Sequence, residues 1–262
     1  MLPDDRSSPP IGGPVGPAWG PIAPSPPQPD ADPVRWGMGD AVLGTLLTLF
    51  VPALVGSIAL VASGRSDFAG LSLALVALLQ VPLWAGLLGA PLWSTYGKGR
   101  HSLAADFGLS MRGRDVPLGL LAGFATQLVL VVVIALVYPL LGIDPEQVGS
   151  SAEELTSGAT DTLGVVLLVA IVAVAAPLFE ELFYRGLWLR AVERRLGTGW
   201  AVAISSLVFG IIHFQIYDLP ALLAFGLVAA LLTVRTGRLG PAIWAHVAFN
   251  LTAVISLLAD LG

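Results

Sequence analysis

Glu180, Glu181, His213, His246 and Asn250 have the types and spacing for water-dependent hydrolysis of a peptide bond. The two glutamates directly follow an apolar run ending Ala-Ala-Pro-Leu-Phe. The chain has 3 histidines. His213 and His246 lie inside apolar stretches, whereas His101 lies in a polar loop. An ionisable residue at membrane depth costs about 2.5–3.5 kcal/mol on insertion scales, so it is a functional candidate by default. A carboxylate can take a proton from water, and imidazole and carboxamide groups can hold the oxyanion of the tetrahedral intermediate.

These residues need a lipid-embedded scaffold to hold them. The chain is 55% hydrophobic and 12% charged, with a mean hydropathy of +0.82. A globular domain carries about 25% charged residues. Half that share could not cover a soluble core, and lipid is the expected solvent. The predicted fold class is an all-α, polytopic membrane protein of about seven transmembrane helices. Apolar stretches run over 41–62, 69–93, 116–142, 163–179, 198–214, 219–234 and 239–258. The fourth and sixth are short, and the sixth carries the weakest signal. Pro52, Pro82, Pro91 and Pro139 fall within stretches and predict kinks that neighbouring helices can absorb. Residues 180–196 keep a helical apolar spacing and should continue the fourth helix to Gly197. Trp36, Trp93, Trp188 and Trp200 have the positions of interfacial anchors.

Residues 1–34 are of a different character: eleven of the 20 prolines fall there, and the segment is expected to be a disordered tail. It lacks the basic start and apolar core of a signal peptide. Residues 35–262 form the expected membrane domain. With the N-terminus in the cytoplasm and seven crossings, the inner side holds Arg6, Arg35, Lys98, Arg100, Arg112, Arg114, Arg185, Arg190, Arg194, Arg195, Arg235 and Arg238. The outer side holds Arg65 alone. That asymmetry follows the positive-inside rule and fits the plasma membrane. The net charge of −5 argues against a nucleic-acid partner, and the absence of cysteine excludes disulfides and a thiol nucleophile.

The fourth and fifth helices should form a hairpin turning at Leu196, Gly197 and Thr198. Glu180 lies 16 residues before Leu196, and His213 lies 17 after it. At ~1.5 Å per residue both reach ~25 Å from the turn, so they can face each other. His246 and Asn250 are i and i+4 and share a helix face, as do Glu181 and Arg185, which can pair.

Three motifs then resemble the CAAX protease and bacteriocin-processing family (CPBP, or Abi) of intramembrane proteases, relatives of the Ras-converting CAAX endopeptidase. They are Glu-Glu-x-x-x-Arg at Glu180–Arg185, Phe-x-x-x-His at Phe209–His213 and His-x-x-x-Asn at His246–Asn250. The resemblance covers residues 160–258, with a fainter echo in Asp-Phe-Gly-Leu at 106–109. It implies that Glu180 activates water with help from His213, and that His246 and Asn250 hold the oxyanion. Arg185 and Phe209 are supporting residues, Phe209 through packing. The family is often labelled metalloprotease. Zinc would find three ligands in Glu180, His213 and His246, although no His-Glu-x-x-His occurs. The alternative is a metal-free glutamate mechanism. The implied partner is a membrane-associated peptide or protein in the bilayer.

Two other function classes compete with the protease. One is a non-catalytic immunity or scaffold protein of the same fold. The other is a proton-coupled transporter, which would often show inverted repeats that are not evident here. An aspartyl dyad of Asp40 and Asp218 is excluded because the two should lie on opposite membrane faces, and no Gly-x-Ser-Gly of the rhomboid type is present.

Overall fold

The computed structural model describes residues 34–68, 71, 73–144, 147–157, 159 and 161–260. The expected tail at 1–34 therefore lies outside the described residues, Val34 excepted. All regular elements among the described residues are helical: α1 Met38–Ser63, α2 Leu73–Lys98, α3 Leu103–Phe107, α4 Asp115–Val137, α5 Ser150–Ser157, α6 Thr162–Leu196, α7 Thr198–Ile211, α8 Leu219–Thr236 and α9 Gly240–Asp260. Six of them, α1, α2, α4, α6, α8 and α9, are long and apolar enough to cross a membrane, and α7 is a shorter apolar helix. The protein is a polytopic helical membrane protein. The fourth apolar stretch is not short. It extends to a 35-residue helix because residues 180–196 continue it. The weak sixth stretch forms a full 18-residue span, and the fifth is the short one, at 14 residues.

Small residues allow the helices to approach closely, as apolar solvent gives no hydrophobic drive for helix pairing. A Cβ on Gly44 would meet Ala90 and Phe183, and one on Gly86 would meet Thr48, so α1 and α2 pack antiparallel. A Cβ on Gly119 would meet Pro241 and Trp244, and one on Gly123 would collide with the Ala245 carbonyl. Both increments run the same way, so α4 and α9 are parallel neighbours.

The connections gather at two ends, as alternate crossings require. At one end Lys98 Nζ pairs with Asp40 Oδ1 at 2.6 Å, and Arg238 pairs with Asp115. There Leu239 and Gly240 also donate their N–H groups to the carbonyls of Gly108 and Ser110. The Asp-Phe-Gly-Leu segment thus holds the turn that leads into α9. At the other end the Tyr138 hydroxyl donates to the Tyr217 carbonyl at 2.6 Å, and Gly149 N donates to Asp218 Oδ1 at 2.9 Å. Burial pushes the Asp218 carboxyl above the usual carboxylate range. Asp40 and Asp218 are at opposite ends, so they form no dyad.

Two groups of residues depart from expectation. Trp36 and Trp188 are 3% and 6% exposed and are not interfacial anchors. Trp36 packs on Phe107 beneath the Arg194 guanidinium, and Trp188 Nε1 donates to Thr45 Oγ1. Trp93 and Trp200, at 65% and 63% exposed, keep positions suited to an interface. Arg185, counted among the inner-side charges, does not reach the surface. It is wholly buried in the bundle, paired with a glutamate.

Candidate active site

The α6–α7 hairpin turns at Gly197, whose φ of 83° suits a residue without Cβ. It brings Glu180 and His213 to one level, with His213 Nε2 3.9 Å from Glu180 Oε2. His213 lies just past the end of α7, where Phe214 takes a left-handed φ of 55° and turns the chain away. His213 Nδ1 lies 2.6 Å from the Phe209 carbonyl. A carbonyl only accepts, so Nδ1 carries a proton and Nε2 faces Glu180.

α9 supplies the second imidazole. His246 Nε2 is also 3.9 Å from Glu180 Oε2, while its Nδ1 is 2.9 Å from Glu181 Oε1. The two neighbouring glutamates thus do different work. Glu180 lies between two Nε2 atoms. Glu181, with no exposure, orients one of those imidazoles from behind. The same Glu181 oxygen accepts from Arg185 at 3.0 Å, and Arg185 also donates to the Gly226 carbonyl of α8 at 3.2 Å. The guanidinium lies 4.4 Å from the Phe209 ring centroid. That ring also contacts His213 and His246, with centroids 4.8 and 5.7 Å away. Phe209 is therefore a packing hub beneath both imidazoles.

Asn250 is one turn beyond His246. Its Nδ2 donates to the Val172 carbonyl on α6 at 2.8 Å, leaving one amide hydrogen and Oδ1 for other partners. Val172 sits in a π-helical stretch, Val169–Ala175, and a second one, Leu182–Trp188, follows the glutamates. π-turns inside α-helices are frequent at functional sites.

Glu180, His213, His246 and Asn250 all line one cavity of about 800 Å³. Glu181 and Arg185 do not line it. Most of the wall is apolar, from α1, α2, α4 and the first half of α6. Tyr184, Phe225 and Phe249 complete the surroundings of the imidazoles, and sequence reasoning passed over them. Tyr184 carried a usable signal, being i+4 from Glu180 on the same helix. Phe225 carried none, since its place depends on how α8 packs.

Glu180, His213 and His246 have the donor types of a zinc site, and both imidazoles hold their second nitrogen on a protein acceptor, as ligating histidines do. With bonds of ~2.0–2.1 Å, tetrahedral ligand atoms lie about 3.3 Å apart. The two nitrogen–carboxylate separations here are wider, at 3.9 Å. Among the described residues no group of three such side chains is arranged to hold a metal ion.

Comparison with known proteins bears on the same segment. Residues 162–252 match the family described as type II CAAX prenyl endopeptidase Rce1-like. "Putative membrane peptidase YdiL" of Bacillus subtilis (strain 168) is 33% identical over 103 residues. That alignment covers 39% of this chain and 42% of the relative, so the chain spans less than half the length of the curated protein it matches. No solved structure matches.

Proposed function

We propose that this chain, which belongs to the CAAX-type membrane protease family, is an intramembrane endopeptidase that cleaves membrane-associated peptides with water activated at Glu180. The observation that carries the reading is the placing of both imidazole Nε2 atoms 3.9 Å from one Glu180 oxygen, on the wall of a chamber large enough for a peptide segment. A 3.9 Å gap is too long for a direct hydrogen bond but can be bridged by a shared water. In this mechanism Glu180 takes a proton from that water as its oxygen attacks the scissile carbonyl. The proton then passes from Glu180 to the leaving amine as the C–N bond breaks. His213, tethered at Nδ1, accepts from the water at Nε2 and fixes its direction.

His246 and the free amide hydrogen of Asn250 face the oxyanion. Glu181 keeps a proton on His246 Nδ1, so His246 can donate from Nε2 only as the doubly protonated imidazolium. That form balances charge: Glu180 and Glu181 are offset by Arg185 and His246. Neutral His246 would instead present an Nε2 lone pair, the form in which an imidazole ligates zinc.

The side carrying the basic loops is the cytoplasmic one in this reading, in the plasma membrane, and substrates are peptides or proteins held in the bilayer. A leader peptide, a CAAX C-terminus or a membrane regulator all meet that description. The test is a cleavage assay in vesicles with wild type and Glu180→Gln. Loss of turnover by several orders of magnitude with unchanged substrate binding is expected. Near-normal turnover by Glu180→Gln removes Glu180 as the base.

A further inference from the structure

We propose that Gln80 and Gln127 form a backbone-recognition site, pairing their carboxamides with the N–H and C=O groups of an extended peptide segment next to the bond being cleaved. The inference rests on the proteolytic reading and adds the group that is recognised.

Both glutamines line the catalytic chamber, Gln80 from α2 and Gln127 from α4. Neither carboxamide makes a hydrogen bond to any described residue. Their levels follow from the packing. Trp84 stacks against Phe179 with centroids 5.6 Å apart, and α2 runs parallel to α6, so Gln80 lies one turn from Phe179, level with Ala175 and Ala176. Gly123 abuts Ala245 across the parallel α4–α9 contact, so Gln127, one turn on, is level with Phe249, next to Asn250. Asn250 is itself bonded to Val172 on α6. Two unpaired carboxamides therefore stand at nearly one depth, on different walls, about a turn from Glu180.

A carboxamide facing hydrocarbon forfeits its hydrogen bonds, and an alkyl ligand alone would be better served by leucine at both places. A peptide being hydrolysed presents the opposite need. It must be unwound at the scissile bond, and its freed N–H and C=O groups cost several kcal/mol each in an apolar surround. A glutamine side chain offers one acceptor and two donors, which match both halves of a peptide group. Apolar walls with two carboxamides thus suit a main chain whatever its side chains.

The test uses full-length protein in vesicles and a membrane-associated peptide that wild type cleaves. Analogues replace single backbone amides near the scissile bond by esters or N-methyl amides. Gln80→Leu and Gln127→Leu are close in volume to the native residues and more apolar, so both insert. Each variant is expected to lower kcat/KM about three- to tenfold on the native peptide, the worth of one hydrogen bond. For one backbone position, analogue and variant should not be additive: the leucine variant should ignore the change that wild type resists. Independent, multiplying effects at every position, as expected if the carboxamides serve only chamber water, overturn the proposal, as do leucine variants with wild-type kcat/KM. The same cycles measured as peptide binding to Glu180→Gln protein need no turnover. Coupling in binding together with near-normal turnover by Glu180→Gln leaves this proposal standing and removes Glu180 as the base. Cleavage that depends on Glu180 without coupling does the reverse.

Discussion

Glu181 Oε1 takes His246 Nδ1 at 2.9 Å and Arg185 at 3.0 Å, and it does so outside the chamber that His246 lines. A carboxylate shut away from the chamber can act on the reaction only through the imidazole it holds.

Glu181→Gln should therefore show two separable effects. It leaves Arg185 as an uncompensated charge, both side chains having no exposure. That should cost about 3–5 kcal/mol of stability. Pairing it with Arg185→Met should restore much of that loss, read as the unfolding midpoint in detergent. Activity should not return with stability, because a glutamine can turn either its oxygen or its NH2 group toward His246 Nδ1 and no longer fixes the proton there. An equally active double variant would make Glu181 a structural residue only.

His246 answers the question of metal. Its tether at Nδ1 predicts an imidazolium donor without metal or a neutral ligand with it. Protein purified without chelator and analysed for zinc separates the two. In the donor role, metal-free wild type is fully active and His246→Ala is slow, by about 10²–10³ in turnover. In the ligand role, wild type holds one zinc per chain, needs it for turnover, and His246→Ala loses it.

Asn250→Ala should cost both activity and stability. Loss of one oxyanion donor typically lowers turnover about 10²–10³-fold. The part-buried Val172 carbonyl also loses its partner, at a cost of about 0.5–1.5 kcal/mol for one hydrogen bond. A variant as stable as wild type but slow would show that water replaces the amide at Val172.

The orientation is open to direct labelling, because the chain contains no cysteine. Ser66 lies in the exposed α1–α2 connection, and a side chain at Gly199, by the α6–α7 turn, would meet no neighbour within 4 Å. In intact cells an impermeant thiol reagent should modify Ser66→Cys and spare Gly199→Cys. The reverse pattern inverts the topology.

Much of this architecture was legible in the sequence for a physical reason: lipid demands long apolar helices, and helices have a fixed rise. The rise alone placed Glu180 opposite His213 from residue counts to the turn at Gly197. The i, i+4 rule paired Glu181 with Arg185. Helical spacing could not show that Glu181 also holds His246, a contact that depends on α9 bringing that imidazole between the two glutamates. Trp36 and Trp188 misled because an indole flanking an apolar stretch looks the same whether lipid headgroups or Phe107 and Thr45 receive it. Gln80 and Gln127 gave no motif at all, and only the packing of α2 and α4 brings them to one depth.

The two π-helical stretches give α6 slack in length on either side of Glu180 and Glu181. A π-turn takes up one extra residue by winding more loosely, whereas one residue added to ordinary α winding turns everything beyond it by about 100°. Deleting one residue from Val169–Ala175 would let the helix relax to ordinary winding. The tighter turn and the missing residue offset each other, so both glutamates would keep nearly their present direction. Deleting one residue from the α-helical Ala176–Glu181 has no such remedy and would turn the glutamates away from one or other histidine. A gene for this chain should therefore tolerate a single in-frame loss between Val169 and Ala175 better than one between Ala176 and Glu181.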